Sequence, residues 1–105
     1  MKEITTDDVP EALGPYSQGI ISGDTVYVSG KTGVDPETGE APESVGEQTT
    51  QTLRNVAAIL EAAGTSADNI VTVNVYLTDM DDYDEVNAAY ESFLSKPYPA
   101  RTCVE

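Results

Sequence analysis

Apolar residues recur along this chain in two rhythms, and the switch between them delimits its elements. The stretch "GIISGDTVYVSG" predicts two strands around a Ser22-Gly23-Asp24 turn. In the second strand Val26 and Val28 face one way, while Thr25, Tyr27 and Ser29 face the other. "KTGVDPETGE" reads as a loop with a Pro36-Glu37-Thr38-Gly39 turn at its tip. A helix is expected to start at Ser44, because Ser44 and Glu47 form an S-x-x-E capping box. Its apolar stripe is Leu53, Val56, Ala57, Leu60 and Ala63, and Gly64 fits the left-handed position just past its end. "NIVTVNVYLTD" returns to strict alternation, with Val71, Val73, Val75 and Leu77 on one face. A second helix follows the aspartates, with Tyr83, Val86, Asn87, Tyr90, Phe93 and Leu94 on its inner stripe. In the closing "ARTCVE", Arg101, Cys103 and Glu105 share a face opposite Ala100, Thr102 and Val104. The order strand-strand-helix-strand-helix-strand implies an α+β sandwich, a mixed β-sheet with two helices packed on one face.

Composition narrows the class. The 105 residues suit one domain (1-105), and 39% hydrophobic content supports a globular core. Nineteen acids against five bases give a formal charge of -14, which reads as a saline-adapted surface or as a generic acidic protein. Such a charge disfavours nucleic acid as a partner, because phosphate recognition needs a basic footprint. The polar, acidic start "MKEITTDDVPE" shows no signal peptide, and no apolar run approaches the roughly 20 residues of a membrane span. With a single cysteine, these features lead us to expect a cytoplasmic protein without membrane contact or internal disulfide.

Candidate chemistry is restricted by what is missing. No histidine is present, so imidazole acid-base catalysis, Ser-His-Asp triads and HExxH zinc sites are excluded. The run "DMDDYDE" invites a calcium reading, but counting from Asp79 puts Tyr83, Asp84 and Tyr90 at loop positions five, six and twelve. A helix-starting cluster is the expectation there. Arg101 is the cation of most interest. It is either half of a surface ion pair or a bidentate carboxylate anchor, aimed by the stiff Pro97 and Pro99 approach. Cys103, two residues on, is either a small buried apolar side chain or a thiol drawn toward thiolate by the arginine. Asn87, polar on an apolar stripe, either caps a neighbouring backbone group or orients a ligand.

Together, "GPYSQGI", "VYVSGKTGVDPETGE", "QTLRNVAAILEAAG", "VYLTDMDDYDEVNAAYESF" and "PARTCVE" resemble, in order, the sequence blocks of the RidA/YjgF family, the reactive intermediate (imine) deaminases. The resemblance covers nearly the whole chain. It implies a chorismate-mutase-like (YjgF) α+β fold, a homotrimer and sites in the clefts between subunits. It also implies cofactor-independent hydrolysis of 2-iminobutanoate and 2-iminopropanoate to 2-ketoacids and ammonia. Carried over residue by residue, Arg101 matches the arginine that grips the substrate carboxylate, and Tyr16 matches a tyrosine lining the cleft. Ser29 and Gly30 match the ligand-contacting pair, and Asn87 matches the asparagine of the second helix. Cys103 matches the cysteine whose main-chain carbonyl helps hold the attacking water.

The chain departs from the family pattern at two places. Lys31 stands where many members have glutamine, adding a second cation beside the expected site. Family members also continue past the position of Glu105 into a leucine-proline turn and a last strand, whose glutamate positions the water. A single RidA/YjgF-like domain lacking that usual last strand, with an open sheet edge beside "RTCVE", is therefore expected. The leading reading is an imine hydrolase; the alternative is a non-catalytic trimeric protein that binds small carboxylates such as 2-ketoacids. A nuclease or holdase is a third reading, and the charge opposes nuclease work.

Overall fold

Ser44 does cap the first helix. In the computed structural model, which describes residues 1–105, its hydroxyl accepts from the Glu47 amide (3.1 Å), and helix α1 runs Val45–Ala62. Gly64 follows with φ +89°, the left-handed conformation expected past the helix end. Leu53 and Leu60 of the expected stripe are buried, while Val56, Ala57 and Ala63 are half-buried. The fully buried residue is Ile59, outside that stripe, because α1 is covered on two sides. On one side Ile59 joins Ile4 and Val9, with Ile21, Val26 and Val28 against them. On the other, Leu53 joins Tyr90 and Leu94, with Val73 against them.

The hairpin forms as the turn chemistry implies. β2 (Gly19–Ser22) and β3 (Thr25–Val28) pair antiparallel around Gly23, whose φ is +59°. Gly19 is required for packing: a Cβ there would meet Ile59 of α1 at 2.9 Å. A further strand, β1 (Lys2–Ile4), pairs antiparallel with β2 in what reads as a merely polar, acidic start. Ile4 alone anchors it to the core, too little for periodicity to reveal.

β4 (Thr72–Tyr76) and β5 (Ala100–Val104) pair in parallel, with Val73 opposite Arg101 and Val75 opposite Cys103. Val73, Val75 and Leu77 are half-buried, but Val71, expected on that face, precedes the strand and is 77% exposed. α2 (Tyr83–Phe93) follows a 3₁₀ turn, Met80–Asp82, with Val86, Tyr90 and the following Leu94 buried. The Asp79 carboxylate accepts from the Asp81 amide, so the acidic run starts a helix as expected.

The α+β architecture with two packed helices thus stands, α1 over β1–β3 and α2 against β4. Its strands run in two ladders, β1-β2-β3 and β4-β5, without hydrogen bonds joining them. β5 is paired on one side only. No helix is long and apolar enough to cross a membrane.

Candidate functional site

Arg101 emerges from β5 on the face turned toward α2, and aromatic side chains determine where its guanidinium rests. Its Nη2 donates to the Tyr83 hydroxyl (3.2 Å), and its Cζ lies 4.8 Å from the Tyr90 ring centre and 5.5 Å from that of Tyr83. The hydroxyl, rather than a carboxylate, is its hydrogen-bond partner, which leaves further guanidinium donors for a ligand. Tyr83 is therefore a supporting residue that motif reading passes over, although its place at the start of the α2 stripe is legible. Burial pushes the Tyr90 hydroxyl above the ordinary tyrosine value of 10.0, and the neighbouring Arg101 charge pulls it part of the way back.

A cavity of about 340 Å³ opens beside this arginine, lined by Asn87, Tyr90, Glu91, Tyr98, Pro99 and Arg101. That volume is at the lower end of the about 300–1,000 Å³ common for small-molecule sites. Asn87 caps no backbone group: its Oδ1 is buried without a partner, as is the Tyr90 hydroxyl. A buried polar atom left unpaired costs about 1–3 kcal/mol, so both atoms gain when something polar joins them. A larger depression of about 510 Å³ between α1 and α2, lined by Glu47, Thr50, Arg54 and Ser92 among others, contains none of the expected site residues.

The other expected residues lie elsewhere. Tyr16, Ser29, Gly30 and Cys103 are not on the Arg101 cavity. Cys103 is a free, half-buried thiol on the inner face of β5, level with Val75. Ser29 donates its hydroxyl to the Ser17 carbonyl and its amide to the Gln18 carbonyl (3.1 Å). Its side-chain proton is thus already engaged. Gly30 faces open space, so its backbone is accessible to a ligand or neighbour. Tyr16 is 48% exposed, and its hydroxyl accepts from the Leu13 amide (3.4 Å).

Two buried amides brace these segments. Gln18 accepts from the Thr6 amide and donates to the Thr6 and Pro10 carbonyls, fixing the base of the loop that carries Tyr16. Asn55 donates to the Thr32 and Val34 carbonyls and accepts from Gln51, holding the segment that follows Gly30 against α1. Sequence reading misses both. The only signal for Asn55 is its position one turn before Ile59 on the buried side of α1.

The fold and this pocket define a small α+β domain with an arginine-lined cavity beside an aromatic helix face. The chain belongs to the family described as Endoribonuclease L-PSP, whose model matches residues 6–105. It is 45% identical, over 99% of its length and 84% of the relative's, to the 2-iminobutanoate/2-iminopropanoate deaminase of Escherichia coli strain K12. Its fold is that of RidA from the Antarctic bacterium Psychrobacter sp. PAMC 21119, with a TM-score of 0.95 at 46% identity, covering 99% of this chain and 85% of that one. E. coli TdcF with bound serine is similar too, at TM-score 0.93 and 40% identity, with 99% of this chain and 84% of that one covered.

Proposed function

We infer that this chain is an imine hydrolase converting 2-iminobutanoate and 2-iminopropanoate to 2-ketoacids and ammonia, without a cofactor. The observation that carries the reading is Arg101, held by two tyrosines at the mouth of a cavity with guanidinium donors to spare. Its planar fork matches a carboxylate bidentately and remains charged at any working pH. The 45% identity to a protein named for this activity supports the same substrate class. A relative solved with bound serine, itself a small 2-amino acid, supports it further.

In this mechanism Arg101 fixes the carboxylate, and the adjacent C2 of the protonated imine is already electrophilic. The protein has chiefly to orient the imine and a water molecule, since alignment alone removes much of the barrier. Water adds to C2 to form a carbinolamine and gives up a proton. The nitrogen takes up a proton, the C–N bond breaks, and the hydroxyl loses its proton as the carbonyl forms. The balance is iminium plus water to 2-ketoacid plus ammonium. Asn87, on the cavity wall, is assigned to orienting the imine, and the Cys103 main-chain carbonyl to holding the water. Tyr16, Ser29 and Gly30 join these groups where subunits of a homotrimer meet. Partners on this reading are small 2-imino and 2-keto acids and further copies of the chain, in the cytoplasm; nucleic acid and membrane are not among them.

The test generates 2-iminobutanoate in situ with a threonine dehydratase, in dilute and in molar salt. The expected result is a faster appearance of 2-ketobutanoate when this protein is added. Binding of 2-ketobutanoate without any acceleration would refute the enzyme and leave the carboxylate-binding alternative.

A further inference from the structure

We propose that Glu91 is the anionic pole of the Arg101 cavity, matched to the positively charged nitrogen of a 2-iminium acid. The assignment rests on the deaminase reading above and adds the charge form of the substrate. Glu91 and Arg101 line the same cavity. Asn87 and Glu91 are four residues apart on α2, so their side chains lie on one flank of the helix. Arg101 is engaged by the Tyr83 hydroxyl and the Tyr90 ring, so it is not neutralised by Glu91, which is itself exposed. The cavity therefore presents a positive and a negative pole apart from each other.

A protonated 2-imino acid carries the complementary pair, a carboxylate and an iminium on adjacent carbons. The 2-ketoacid product keeps only the carboxylate. An arginine alone would hold substrate and product equally, leaving the product to compete for the site. Glu91 breaks that symmetry. It attracts the cationic nitrogen and, once ammonium departs, opposes the remaining anion.

Calorimetric titration of the full chain with 2-aminobutanoate, a stable zwitterion of the same carbon skeleton, and with 2-ketobutanoate tests this. Glu91→Gln should weaken 2-aminobutanoate binding roughly fivefold, the upper range for an ion pair that water reaches. Affinity for 2-ketobutanoate should stay level or rise. Glu91→Asp keeps the charge and should retain most of the preference. Because Glu91 is exposed on a helix, neither change threatens the fold. Equal changes for both ligands, or none for either, would overturn the assignment while leaving the deaminase reading intact. If the unaltered protein binds neither ligand, the assignment falls, and the hydrolysis of 2-iminobutanoate decides the deaminase reading separately.

Discussion

Replacing Asn55 by alanine removes three hydrogen bonds from a side chain only 2% exposed. Its Nδ2 donates to the carbonyls of Thr32 (3.1 Å) and Val34 (2.8 Å), and its Oδ1 accepts from Gln51 (3.0 Å). At a net worth of about 1 kcal/mol per bond, the loss is about 3 kcal/mol. A domain near this size loses about 4–8 °C of Tm per kcal/mol, so Tm should fall by roughly 12–24 °C. Asn55→Asp sharpens the test. It keeps the acceptor for Gln51 but turns a carboxylate oxygen toward two carbonyl oxygens, so at neutral pH it should destabilise at least as much as alanine. Protonating that carboxylate restores one donor, so the aspartate variant should recover part of its stability in acid. Gln51→Ala removes a single bond at a half-buried position and should cost about 1 kcal/mol. Urea unfolding followed by circular dichroism measures all three. An Asn55→Ala variant within about 0.5 kcal/mol of the parent, the ordinary range for an inconsequential surface change, would refute the bracing role.

Arg101→Ala should weaken 2-ketobutanoate binding by about tenfold to a hundredfold, since a charge-assisted bond contributes about 1.5–3 kcal/mol, while circular dichroism stays unchanged. Arg101→Lys should also bind poorly, because lysine lacks the bidentate fork; full affinity in either variant would remove the anchor. Tyr90 holds its proton more tightly folded than unfolded, so its contribution is complete below the unfolded value of 10.0 and fades as pH climbs above it. Urea midpoints for the parent should therefore fall more steeply above pH 10 than those of Tyr90→Phe, and parallel curves would contradict this. With a formal charge of -14, thermal stability should rise between dilute buffer and molar salt, as the Debye length shrinks from about 10 Å at 0.1 M to about 3 Å at 1 M. An unchanged midpoint would remove the saline-surface reading.

Local rules make most of the fold legible. Ser44 and Gly64 bracket α1 through their own backbone preferences, and the two-residue alternation of β4 and β5 is enough to put Arg101 and Cys103 on one face. β1 is hidden because one buried isoleucine makes no pattern, and Ile59 because a single stripe cannot describe a helix packed on two sides. Of the residues singled out in the sequence, Arg101 and Asn87 line one cavity. The guanidinium's place above Tyr83 and Tyr90, by contrast, depends on how α2 crosses β5. The bonds from Asn55 and Gln18 join residues 8 to 23 positions apart, beyond the reach of periodicity.

The division of the strands into two ladders has a mechanical consequence. A pull on the two ends of the molecule loads β1 at one side and β5 at the other, and no backbone hydrogen bond links the ladders. Tension must cross the helix pair, through the contacts of Ile59 with β1 and β3 and of Leu53 with Tyr90 and Leu94. Each atomic contact there is worth only about 0.1–0.2 kcal/mol, and side chains can slide where a ladder would have to shear as a unit. The isolated chain should therefore yield at low force by parting between its helices, with each hairpin or strand pair outlasting the break.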